Sequence, residues 1–157
     1  MNLKALQTAV SCLFFCAACV LIGTPALAEM VSIKGDNVNM RSGPGTDREV
    51  LWRIGNGFPL RVMKRSGEWI QVKDFEGSVG WVRRDMVSNQ AHAVVKANKG
   101  TDNNINIRKA PSTKSDAVAT ATYGVVFRVL SRKGDWVQVQ HANGVKGWIR
   151  EDLLWGL

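Results

Sequence analysis

Hydrophobic and polar positions alternate over short stretches throughout most of the chain. Ile70 and Val72 share one parity, while Trp69, Gln71 and Lys73 take the other. Leu60 and Val62 oppose Arg61 and Met63. Val38 and Met40 oppose Asn39 and Arg41, and Val82 opposes Trp81 and Arg83. Period two is the signature of half-buried strands. Residues 50–54, 59–63, 69–72 and 79–82 are the predicted strands, punctuated by glycine. Ser66-Gly67-Glu68 and Lys133-Gly134-Asp135 read as hairpin turns, and Gly43-Pro44-Gly45 as a loop. No amphipathic helix of useful length appears. The aliphatic parity is the expected core.

The pattern is written twice. A shift of 67 positions lays Asn39–Val87 on Asn106–Leu154 without a gap, with 17 of 49 positions identical. VNMRSGPGT falls on INIRKAPST, LRVMKRSGEWIQV on FRVLSRKGDWVQV, and GSVGWVRRDMV on GVKGWIREDLL. Such self-similarity marks a duplicated module. Each copy has about 60 residues, a size that folds alone but marginally. The expected division is 29–87 and 94–157, with 88–93 as a linker too short to let the modules separate far. Many short strands in so few residues are expected to curl into a small barrel, which removes exposed edges. The predicted fold is therefore all-β, two tandem small barrels.

The first 28 residues have a different character. Lys4 supplies a positive start, 5–22 is almost wholly apolar, Gly23-Thr24-Pro25 breaks the run, and Ala26-Leu27-Ala28 precedes Glu29. This is the pattern of a secretory signal peptide, with cleavage expected between Ala28 and Glu29. An uncleaved anchor is the alternative, since about 20 apolar residues span a bilayer. A lipoprotein acylated at Cys19 is disfavoured by Cys16 three residues before it. All three cysteines (Cys12, Cys16 and Cys19) lie in this segment. Beyond it there is no thiol for a disulfide, a nucleophile or a thiolate metal site. No later segment is apolar enough to span a membrane. The expected destination is the periplasm or the exterior.

Parity puts six residues of each copy on outward or rim positions. They are Asn39, Arg41, Trp69, Gln71, Trp81 and Arg83, and again Asn106, Arg108, Trp136, Gln138, Trp148 and Arg150. Indole faces are flat apolar platforms, and guanidinium groups pair with carboxylates in two places. The candidate ligand-binding set is Asn39, Arg41, Trp69, Trp81, Asn106, Arg108, Trp136 and Trp148. Each also has a purely architectural reading. The Trp after Gly-Glu would cover a barrel end, the Gly-Trp pair would pack on the neighbouring strand, and Arg41 would tie down the Gly-Pro loop.

Asn-x-Arg-x-Gly/Ala-Pro, a Gly-Glu/Asp-Trp hairpin and Gly-Trp-Val/Ile-Arg, in that order and twice over, resemble the bacterial SH3-like (SH3b) domain. The residues that carry the likeness are Asn39, Arg41, Pro44, Gly67, Trp69, Gly80 and Trp81, with Asn106, Arg108, Pro111, Gly134, Trp136, Gly147 and Trp148. It covers 30–155. The resemblance implies a barrel of five to six strands and a common role as a non-catalytic targeting module for cell-wall peptides, often attached to amidases and endopeptidases. Tyr123 is the single tyrosine, so the tyrosine-lined groove for proline-rich peptides does not carry over.

Net charge is +8, or +7 without Lys4. A basic protein is drawn to a polyanionic mesh by a salt-sensitive attraction. The expected partner is thus peptidoglycan or another anionic envelope component, with no cofactor and no metal. A periplasmic protein is the second candidate partner. Trp52 and Trp155 face Ala119 and Ser88 in the other copy, and Leu153-Leu154-Trp155-Gly156-Leu157 is an apolar tail that could dock on a partner, close the groove between modules, or pack on its own barrel. An accessory role beside a cell-wall hydrolase is a remoter alternative. Nucleic acid is not expected, because the charges are dispersed and export removes the partner. Catalysis is not expected either. His92 and His141 occupy unmatched positions, Glu68/Asp135 lie in turns, and Asp85/Asp152 follow a strand. No nucleophile, base and orienting acid converge in the sequence.

Overall fold

The computed structural model describes residues 28–157. The expected signal segment lies outside the described residues, apart from Ala28 at its end. Glu29, the residue after it, is in place: its carbonyl accepts from the Val62 N–H and its carboxylate pairs with Arg65.

Two seven-stranded antiparallel sheets follow one another. The first comprises β1 (Met30–Ile33), β2 (Val38–Arg41), β3 (Val50–Ile54), β4 (Pro59–Ser66), β5 (Trp69–Lys73), β6 (Val79–Arg83) and β7 (Val87–Ser88), with a 3-10 turn at Arg84–Met86. The second repeats it as β8 (His92–Val95), β9 (Ile105–Arg108), β10 (Ala117–Ala121), β11 (Val126–Lys133), β12 (Trp136–Gln140), β13 (Lys146–Arg150) and β14 (Leu154–Trp155), with a 3-10 turn at Glu151–Leu153. Strand order is β3-β2-β6-β5-β4-β1-β7, and β10-β9-β13-β12-β11-β8-β14. Side chains from β1 through β6 enter one cluster around Met40, Leu60, Ile70, Val72 and Val82. A sheet whose strands all reach one core must curl around it, so each module is a small barrel.

The aliphatic parity is the core, as the alternation requires. Ile70, Val72, Leu60, Val82, Val137, Val139 and Ile149 are fully buried. The long strands β4 and β11 each carry a register shift, between Val62 and Lys64 and between Val129 and Ser131. Such a bulge bends its strand and leaves one residue unpaired. Met63 and Leu130 are those residues, and both are exposed.

Gly80 and Gly147 explain half of the Gly-Trp pair. A Cβ on Gly80 would lie 2.5 Å from Met40 Cγ, and one on Gly147 would lie 2.5 Å from Ile107 Cγ2. Here β6 crosses β2, and β13 crosses β9, too closely for any side chain. Gly67 and Gly134 have φ of 56° and 54° at the hairpin tips, a left-handed turn that glycine adopts at no steric cost.

The alternation does not mark β1 and β8, nor the two-residue strands β7 and β14. Met30–Ile33 and His92–Val95 are only four residues long, yet they bury Val31, Ile33, Ala93, Val94 and Val95. Ser88 closes β7 and His92 opens β8, so residues 89–91 connect the two sheets. The β8–β9 loop is also five residues longer than the β1–β2 loop, covering 96–104 against 34–37.

The modules touch through aromatic side chains. Phe75 of the first module lies 5.2 Å from Tyr123 and 6.4 Å from Trp155 of the second, between ring centroids. The Arg61 guanidinium sits 6.0 Å from the Trp155 ring. Glu76 accepts from the Tyr123 hydroxyl and pairs with Lys99 at 3.0 Å, Lys99 being supplied by the longer β8–β9 loop. The apolar tail is therefore shared. Leu154 is buried in its own core, Trp155 bridges to the other module, and a Cβ on Gly156 would lie 2.7 Å from Pro59.

Candidate functional site

A groove of about 250 Å³ on the first module gathers Asn39, Arg41, Thr46, Trp69 and Arg83. Strand β2 supplies the first two from its outward parity. Trp69 opens β5 directly after the hairpin, and β6 places Arg83 opposite it in register. Three of the four candidates of this module thus share one surface. Trp69 is half-buried, leaving part of its indole open to the groove. The Asn39 Oδ1 is the one buried side-chain polar atom without a hydrogen-bond partner among the described residues, and such orphans call for a donor from elsewhere.

Trp81 departs from the expectation. It lies on the outward side of β6, between Gln71 and Arg41 in register, yet only 7% of it is exposed. The Lys64 ammonium lies 5.3 Å from its ring centroid, a cation over the indole face. Parity placed the side chain on the correct face. It could not show that a lysine two strands away folds over it. Trp81 is therefore not a platform. In the second module Ser131 replaces Lys64 and bonds instead to Gln138 at 3.1 Å, and Trp148 stays half-buried. Trp136 is half-buried as well, and Asn106 is exposed where Asn39 is half-buried.

Both candidate arginines do scaffold work. Arg41 Nη1 donates to the Arg48 carbonyl at 2.7 Å, and Arg108 Nη1 to the Ser115 carbonyl at 2.6 Å. Each fastens the loop after its strand, which is the architectural reading. Four of the five guanidinium donors remain beyond that bond. Arg83 holds Asp85 through two bonds at 3.1 and 2.9 Å, and Arg150 holds Asp152 through two at 3.1 Å. The recurring Asp85/Asp152 pair is thus committed to neighbouring arginines.

The two histidines line one groove with Arg128 and Gln140. Burial, as the main cause, holds His92 below its ordinary 6.5, although its bond to the Gln90 carbonyl works the other way. His141 accepts from the Asn143 N–H in its own hairpin. Among the described residues no three His, Cys, Asp or Glu side chains are grouped to hold a metal ion, and no helix is long and apolar enough to cross a membrane.

The most exposed aromatic among the described residues lies outside the candidate set. Trp52 on β3 is 58% exposed. Its only signal in the sequence was a difference: Ala119 occupies the same place in the other copy.

The bacterial SH3 domain family matches the chain twice, over 34–89 and 101–156. The chain belongs to that family. Its two SH3 modules are 24% identical over 137 residues to the putative N-acetylmuramoyl-L-alanine amidase YrvJ of Bacillus subtilis (strain 168). That alignment takes in 83% of this chain and 26% of the amidase, so the SH3 pair spans about a quarter of that relative's length. Among solved structures, an NlpC/P60 family protein from Bacillus cereus ATCC 10987 aligns over 81% of this chain and 56% of its own at 15% identity, with a TM-score of 0.37. The endolysin LysPBC5 CBD aligns over 83% and 95% at 17% identity, with a TM-score of 0.32.

Proposed function

We propose that this tandem SH3 chain is an exported, non-catalytic protein that binds a cell-wall component, with peptidoglycan peptides the expected ligand. The observation that carries the reading is the groove of Asn39, Arg41, Trp69 and Arg83. It combines an open indole edge, two guanidinium groups and an acceptor without a donor. A stem peptide offers carboxylates for the first arginine's remaining donors, and amide N–H groups for the acceptor. Net positive charge would concentrate the protein on an anionic wall. The amidase relative supports the same setting. Asp85 and Asp152, bound to arginines, are poorly placed to act as acid and base. A partner-protein role for the C-terminal tail loses ground, since Trp155 already packs on Phe75.

Sedimentation with purified sacculi tests the proposal. The chain should pellet at low salt and be released as salt rises. Trp69→Ala with Trp136→Ala should weaken retention at least fivefold, with circular dichroism unchanged. A chain that stays in the supernatant at low salt removes the wall reading.

A further inference from the structure

Beside the buried edge of the first core lies a second groove, of about 360 Å³, lined by Trp52, Arg53, Phe58, Asp74, Phe75 and Glu76 among others. Strand β3 is the outermost strand of its sheet. Trp52 pairs with Met40, so it shares the core-facing side but overhangs the sheet edge. Phe58 and Phe75 stand 5.8 Å apart between centroids. The second module has a groove at the corresponding place, of about 230 Å³, lined by Ala119, Thr120, Val125, His141 and Asn143. The fold therefore creates this groove in both barrels. Rings line both grooves, Phe127 and His141 in the second, but Phe127 is buried and only the first holds an exposed indole.

The duplication is an internal control. Ala119 stands at the Trp52 position and Val125 at the Phe58 position, and the second barrel has the same strand order. A 58% exposed indole is thus not required by the barrel. A flat apolar face kept open to water beside two further rings is a surface for a ring-shaped ligand. The size is at the lower end of small-molecule sites, which run from about 300 to 1,000 Å³. The polar rim selects among ligands. Lys99 pairs with Glu76 and Arg53 offsets Asp74, so the rim carries no net charge and favours a neutral ligand. Asp74 is held by the backbone N–H groups of Glu76 and Ser78 at 2.9 and 2.8 Å through Oδ1. Carboxylates and a guanidinium around an indole are suited to a neutral ring with hydroxyl groups on its edge and C–H bonds on its face.

We propose that this groove binds a neutral pyranose ring, such as an N-acetylated hexosamine of a glycan strand, stacked on Trp52. The inference rests on the wall-binding reading but uses a different surface, and it adds a sugar subsite to the peptide groove.

The test titrates the full chain with a β-1,4-linked tetramer of N-acetylglucosamine and follows the indole N–H resonances by NMR. The Trp52 resonance should move and saturate. Trp52→Ala, a residue the second module accommodates at that place, should weaken binding at least tenfold, and Trp52→Phe should restore part of it. No movement at Trp52, or unchanged binding by Trp52→Ala, overturns the inference. So does a neutral apolar peptide that shifts Trp52 where the tetramer does not. A Trp52-dependent dimer in analytical ultracentrifugation overturns it in favour of a second copy of the chain. Sacculus sedimentation without tetramer binding sinks this inference alone. Tetramer binding without sedimentation sinks the wall reading alone.

Discussion

The two barrels use their large aromatic side chains in opposite ways. The second module places Phe127 at the centre of its core, 1% exposed, where the first has Leu60. The first module leaves Trp52 exposed and sets it with the half-buried Phe58 and Phe75 around one groove. Conversely, the first covers Trp81 with Lys64, and the second leaves Trp148 half open beside Ser131. One backbone plan thus supports a barrel with a heavier interior and a barrel with a furnished surface. Duplication followed by divergence separates what the scaffold requires from what each copy displays.

Removal of one ring from each module should break this contrast most clearly. Phe127→Ala is expected to cost about 3–5 kcal/mol, the usual loss for a buried phenylalanine. Trp52→Ala should stay within about 0.5 kcal/mol, as surface changes do. Urea unfolding measures both, and a large loss for Trp52→Ala would make that indole structural.

A smaller effect sharpens the comparison of the two Gly-Trp strands. Lys64→Ser gives the first module the second module's residue. It should cost about 0.5–1 kcal/mol, the worth of a cation over an aromatic face. Acrylamide quenching of indole fluorescence should rise as Trp81 is uncovered. No change in quenching would mean that other neighbours shield it.

The smallest effect concerns the junction. The Tyr123 hydroxyl and then Lys99 hold the Glu76 carboxyl below its ordinary 4.5. The bond to Glu76 raises Lys99, and burial followed by the Glu76 bond raises Tyr123. A depressed carboxyl stabilises the folded chain fully above 4.5, and the benefit is lost as pH falls through its folded value. His92 is depressed too, so its protonation favours the unfolded chain. Thermal stability should therefore be flat between 6.5 and 10, fall above 10 as the raised Tyr123 and Lys99 deprotonate, decline a little below 6.5 as His92 titrates, and decline again below 4.5. Glu76→Gln should flatten the lower step, and a step unaffected by it would assign the loss to other carboxylates.

Much of this was legible in the sequence, for identifiable reasons. Repeat identities such as Gly80/Gly147 and Arg41/Arg108 mark positions that the backbone itself requires, and the structure uses them for a close strand crossing and a loop fastening. Alternation located the core because Ile70 and Val72 sit on one face of a pleat. Met30–Ile33 and His92–Val95 each bury three residues in a row, so no period of two marks them. The fate of Trp81 depended on Lys64 of β4, two strands away, which no local pattern encodes. The aromatic groove lay in the mismatches, Trp52 against Ala119 and Phe75 against Ala142, where identity counting gives no credit.

Phe75 belongs to both halves at once. It lines the groove on one side and meets Tyr123 and Trp155 on the other. Substitutions at those two remote rings will therefore register as ligand defects, although neither residue lines the groove. A mutational map of this chain sorted by barrel would misattribute them, because an allele in one half can report on the occupancy of the other.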